Sequence, residues 1–331
     1  MFNKKVIILV SFVFLIFGLF GIYSIILETE YSLKNLDLSL KEKVTKDYLD
    51  KKILFAIKND KFDDAVMYHN LAKYLGIALS SETLEEIEKN DGYLSESWRS
   101  IKSFGYGFST GEPEDTMGLA GSITADMTVV GDLRDLSIEG SKFAKDEPYD
   151  IVLFGMSAIG VGLSISQFFT SGATTPLKIS ASIVKAAKKT GNLSKPFVDT
   201  ISSKLSKAID FNMLKKIDYT SIDSVEKASK QISKSLNSPY IRKAFKNIDT
   251  IGKNTDSKID TIALLKYVDD PVDLQRVADI SKKYRKNTKA VFAVLGKGTV
   301  KGTINLIKWT NILVTQVLSF MISIIFFLLL W

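Results

Sequence analysis

The chain has no cysteine among its 331 residues, a single histidine, and few arginines. Without cysteine there is no disulfide, no thiolate metal ligand, no thiol nucleophile and no lipidated cysteine anchor. His69 alone cannot supply zinc with its usual nitrogen and sulfur ligands, and a site built from carboxylates is not what zinc prefers. It falls on the apolar arc of its segment and reads as a core imidazole. Arginine scarcity weighs against nucleic acid, whose bases are gripped by bidentate guanidinium contacts and aromatic stacking. Also missing are a Ser, His and Asp arrangement, an HExxH motif and a dinucleotide fingerprint. "LGKGTVKGT" at 295–303 has no GK[ST] ending and is not a phosphate loop. No cofactor and no metal is expected.

Long uncharged runs, by contrast, are present. Residues 6–27, "VIILVSFVFLIFGLFGIYSIIL", hold no charge over about 33 Å of helix, enough for a hydrocarbon core of about 30 Å. Lys4 and Lys5 precede the run, but it is longer than a signal-peptide core and lacks a small-x-small cleavage site. It reads as a retained signal anchor. Residues 309–331 form a second such run, bracketed by Trp309 and Trp331 as interfacial aromatics.

Charge divides what lies between. Residues 28–149 hold 15 Lys and Arg against 24 Asp and Glu, and residues 173–304 hold 26 against 12. Between these stretches runs "IVLFGMSAIGVGLSISQFFTSG", residues 151–172, uncharged and glycine-rich. If it spans, the acidic part lies outside and the basic part returns to the cytoplasm, which satisfies the positive-inside rule. If it does not, residues 28–308 share one side. Small residues Gly155, Ala158 and Gly162 would let helices approach closely and associate as a homo-oligomer. The same run suits a buried core helix, or one arm of a hairpin with the basic amphipathic segment that resumes after Pro176.

Residues 40–102 read as helices. In "ILFAIKNDKFDDAVMYHNLAKYLGIAL" a polar break at Asn59 and Asp60 separates two apolar-periodic segments, the second with Phe62, Ala65, Val66, His69 and Ala72 at helical spacing. This pair resembles a tetratricopeptide-type helix pair, and the resemblance implies a protein-binding surface; one copy is visible. Residues 103–122 read as a loop with aromatic Phe104, Tyr106 and Phe108 and a contact role. Near the C-terminal run, "KKYRKNTK" gathers Lys282, Lys283, Arg285, Lys286 and Lys289, a surface suited to anionic lipid headgroups at about 1 kcal/mol per residue.

The densest cluster of ionisable groups is "DMTVVGDLRDLSIEG", residues 126–140. On a helical wheel Val129, Val130, Leu133 and Leu136 share one arc and Asp132, Asp135 and Glu139 the opposite one. The expectation is an amphipathic helix with its acids in solvent, Asp126 as its cap, and Arg134 pairing across to another helix. The three carboxylates could bind Ca²⁺ or Mg²⁺ if a loop added oxygens. Gly131 in mid-helix costs about 1 kcal/mol unless something packs closely there. These five, Asp126, Asp132, Arg134, Asp135 and Glu139, are the candidate binding residues; no catalytic residue is assigned.

The expected protein is all-α and multi-pass in a bacterial inner membrane. Its parts are a signal anchor (1–27), an acidic extracytoplasmic domain (28–150), a glycine-rich membrane segment or hairpin (151–190), a basic helical domain (191–304) and a C-terminal transmembrane helix (305–331). The expected role is non-enzymatic: a scaffold or assembly factor that binds a protein through its helical region. The alternatives are a pore-forming permeabiliser and a carboxylate- or metal-dependent hydrolase acting through Asp132 and Asp135.

Overall fold

The computed structural model describes Leu33 and residues 35–91, 129–170, 175–214 and 238–301. Every regular element among them is helical, and none of these helices is long and apolar enough to cross a membrane. The terminal runs at 6–27 and 309–331, the loop at 103–122 and Asp126 lie outside the described residues.

The described residues fall into two compact units. The first takes in those of Met1–Thr45 and Lys297–Trp331; it contains a helix over 35–43 and a short one at Gly298–Lys301, with Leu36, Leu40 and Val44 buried at four-residue spacing. The second, Lys46–Gly296, holds the candidate site.

The second unit opens with α1 (Lys46–Lys58), α2 (Phe62–Leu75) and α3 (Ser81–Asp91). The break between α1 and α2 falls at Asn59 and Asp60, as the polar residues there imply. Leu49, Ile53 and Ala56 of α1 and Ala65, Tyr68 and Ala72 of α2 are buried at spacings of three and four, because these two helices pack face to face. Gly76 closes α2 in the left-handed conformation, φ 68°, which only glycine adopts without a steric cost.

Helix α4 (Val129–Ala144) leads by the turn 145–150 into α5 (Ile151–Thr170), and α6 (Thr175–Lys189) follows. Asp150 caps α5, its Oδ1 accepting from the Val152 and Leu153 N–H groups at 2.9 and 3.0 Å. Then come α7 (Lys195–Ala208), α8 (Phe211–Leu214), α9 (Pro239–Asn254), α10 (Lys258–Leu265) and α11 (Pro271–Tyr284). A 3-10 turn, Arg285–Asn287, and α12 (Thr288–Leu295) complete the unit. Ser194, Ser257 and Asp270 cap α7, α10 and α11 through side-chain oxygens, and proline enters the first turn of α7, α9 and α11 where its missing N–H costs nothing.

Helix α5 lies between α4 and α6 and is crossed by α7; α6 in turn carries α9 and α10, and α9 packs on α11. The glycine-rich run expected in the membrane is therefore, as far as its side chains are described, a core helix: Val152, Phe154, Met156, Ile159, Val161 and Leu163 are buried. Helices α4 and α6, which flank it, carry complementary charges that meet beside it. Gly155, Ala158 and Gly162, expected to join copies of the chain, are buried inside this unit. A Cβ on Gly155 would come within 3.0 Å of Leu205 on α7, so that glycine admits a helix of the same chain.

Charge does not mark a boundary within the unit. Helix α2, from the acidic stretch, packs on α12 and the 3-10 turn, from the basic stretch; Tyr74 meets Tyr284 edge to face with ring centroids 6.1 Å apart.

Candidate functional site: a buried ion-pair ladder

Helix α4 buries the acids that were expected in solvent, together with Leu136. Asp132, Asp135 and Glu139 are 1%, 6% and 5% exposed, whereas Ile138 is 49% exposed. A carboxylate enters an interior only with partners, since desolvating a lone charge costs several kcal/mol. The partners come from α6, where Lys178, Lys185 and Lys189 recur at seven and four residues and so share one face. Asp132, Asp135 and Glu139 recur at three and four on α4, which makes the two helices complementary rails on either side of α5.

The central cation is Lys185, fully buried. Its Nζ donates to Asp132 Oδ1 at 2.8 Å and to Asp135 Oδ2 at 3.1 Å. Lys189 Nζ donates to the same Asp135 oxygen at 2.8 Å. Arg134, expected to reach another helix, bonds to its neighbour: its Nε and Nη2 donate to Asp135 Oδ1 at 2.9 and 2.8 Å. Lys178 Nζ stands 3.6 Å from Asp132 Oδ2 and donates to Ser164 Oγ, whose own hydroxyl donates to the Gly160 carbonyl. Glu139 accepts from Lys142 and from the Asp150 N–H, both at 2.7 Å. Asp150 Oδ2 pairs with Lys188 at 2.7 Å.

Gly160 makes this geometry possible. A Cβ placed on it would lie 2.3 Å from Asp132 Oδ2, so the carboxylate rests directly against the α5 backbone. Gly131 of α4 is buried too, and the helix runs unbroken through it.

Electrostatics follow the same pattern. Burial pushes the Asp135 carboxyl upward, but Lys185, then Lys189 and Arg134, outweigh it and hold the group well below the usual carboxylate range. Burial lowers the Lys178 ammonium, with Asp132 offsetting part of the effect. Opposing charges are thus neutralised in place, and no cluster of three or more His, Asp or Glu among the described residues is disposed to hold a metal.

Compared with models of protein families, with curated proteins and with solved structures, the chain matches none.

The other sequence candidates are placed as follows. In the basic patch Lys282 pairs with Asp279 at 2.8 Å, Lys286 with Asp256 at 3.0 Å and Lys289 with Asp260 at 3.0 Å. Arg285 donates to Asn254 Oδ1, and Lys283 lies over the Tyr284 ring, 5.2 Å from its centroid. This surface therefore alternates Lys with Asp, which softens the positive field that an anionic leaflet would feel. His69 is part-buried; its burial, and then Lys73, lower its basicity, and Nδ1 has no hydrogen-bond partner among the described residues. Sequence reasoning missed Lys178, Lys185, Lys189, Ser164 and Gly160. The signal for them was the matched spacing of opposite charges on either side of an uncharged helix.

Proposed function

We propose that the chain is a non-catalytic scaffold, held at a membrane by its terminal apolar runs, that binds another protein through α1, α2 and α3. The observation that carries this reading is where apolar surface remains exposed. Of seven large apolar side chains exposed among the described residues, four, Phe55, Val66, Tyr74 and Leu84, belong to these three helices. Exposed apolar groups gathered on one part of a protein mark interaction surfaces. The acids that a hydrolase would use are committed to lysines instead. The gap between α5, α6, α7 and α9, lined by Met156, Val184 and Phe245, has room for about one water molecule.

The scaffold reading puts 129–144 and 175–296 on one side of the membrane, because an Asp132–Lys185 pair cannot form across a bilayer, and 46–91 with them, because α2 packs on α12. Topology reporters fused after residues 140 and 240 are expected to report the same side, and carbonate washing is expected to leave the full chain in the membrane fraction. A photo-crosslinker at Leu84 is expected to give one discrete adduct that is lost when Phe55→Ser and Val66→Ser are added. Reporters on opposite sides, or crosslinking that ignores both substitutions, would overturn the reading.

A further inference from the structure

We infer that α4 is a hinged cover on α5, anchored at its C-terminal end by aromatic packing and held shut along the rest of its length by charge. Six positions of α4 between 131 and 144 are buried: Gly131, Asp132, Asp135, Leu136, Glu139 and Gly140. Among these six, Leu136 is the one large apolar side chain. Its C-terminal end is different. Phe143 packs against Tyr149, Phe154 and Phe211 with ring centroids 4.9, 5.7 and 6.3 Å away, and Glu139 takes the Asp150 N–H.

The groups that face Asp132 and Asp135 are Arg134 on α4 itself and Lys178, Lys185 and Lys189 on α6. Helix α5 brings Ser164 and no charge. Removing the two carboxylate charges takes from the buried Lys185 and Lys178 the counter-charges named above, which is the expensive half of a broken ion pair. Swinging α4 away about the turn at 145–150 rehydrates those lysines and leaves the remaining helices in place. The surface uncovered is the face of α5 around Gly160. This inference does not depend on the scaffold reading.

The absence of cysteine makes a clean test. Ser157 is fully buried, one turn before Gly160, and its hydroxyl has no hydrogen-bond partner among the described residues, so a thiol fits there. Ile262 on α10 is equally buried and touches none of the ladder pairs named above. The full chain in detergent, as Ser157→Cys or Ile262→Cys, is exposed to dithiodipyridine at pH 7. Adding Asp132→Asn and Asp135→Asn is expected to speed modification at 157 by about a hundredfold or more and to leave the thiol at 262 protected. Further adding Lys178→Met and Lys185→Met removes the stranded charges and is expected to restore protection at 157. Unchanged reactivity at 157, simultaneous exposure at both positions, or failure of the methionine pair to restore protection each overturns the inference.

Discussion

Helices α4 and α9 have the same length and are both amphipathic, yet they bury opposite faces. Helix α9 turns Ile241, Phe245, Ile248 and Ile251 inward and is held as most surface helices are, each such side chain contributing about 1.5–3 kcal/mol on burial. Helix α4 turns its acids inward and leaves Ile138 in solvent. The difference lies in the neighbour. The part of α6 that meets α4 presents Lys178, Lys185 and Lys189, whereas α9 meets α11, whose buried Leu274, Val277 and Ala278 are apolar. Apolar burial is indifferent to register at the level of single atoms; paired charges are not, so α4 is placed by directional contacts that specify its rotation and its height on α5.

The strongest test of that contrast is Lys185→Ala, which takes the central ammonium away from Asp132 and Asp135 and is expected to destabilise the unit by about 3–5 kcal/mol in denaturant unfolding. Phe245→Ala on α9 is expected to cost about 3–5 kcal/mol as well, through a cavity, but its cost should be the same at pH 7 and at about pH 2. The cost of Lys185→Ala should shrink on acidification. Asp135 titrates below its unfolded value, so its stabilisation is complete above about pH 4 and is lost as pH falls through the depressed folded value. Gly160→Ala pushes a methyl into the Asp132 carboxylate and is expected to cost about 1–3 kcal/mol, visible as a lower midpoint with an unchanged denaturant slope.

Smaller effects sharpen the comparison from the other side. Asp273 on α11 is 1% exposed, and its Oδ2 accepts from the Asp269 N–H at 3.0 Å, but no ammonium faces it in the way Lys185 faces Asp132. Burial raises its carboxyl above the usual range, so its contribution is complete at low pH and is lost as pH rises through the folded value. Asp273→Asn keeps the acceptor and is expected to raise stability at pH 7 by under about 1 kcal/mol, an effect that vanishes near pH 3. Lys286→Ala removes a solvent-exposed pair with Asp256 and is expected to change stability by less than about 0.5 kcal/mol.

Helix content was readable from apolar periodicity, as was the α1–α2 break at Asn59 and Asp60. The orientation of α4 was not, because a helical wheel scores one helix alone and sends charge to water by default. What overrides that default is a second helix with the opposite charges at matching intervals, a pairwise property that Asp132, Asp135, Lys185 and Lys189 show only when 129–144 and 175–189 are read together. Gly160 illustrates the same limit. In isolation it is one more glycine of an uncharged run, and only the position of the Asp132 carboxylate explains why no side chain stands there.

The separation along the chain of these contacts also bears on rates. Glu139 reaches Asp150 across eleven residues, whereas Lys185 reaches Asp132 across fifty-three. Short loops close first because their entropic cost is lower, so the α4–α5 turn is expected to form early while the aspartates still face water. The ladder closes only when α6 docks, late on the folding path. Substitutions in it are therefore expected to leave the refolding limb of a chevron almost untouched and to act on the unfolding limb, which makes Lys185 a determinant of how long the folded unit lasts more than of how fast it is reached.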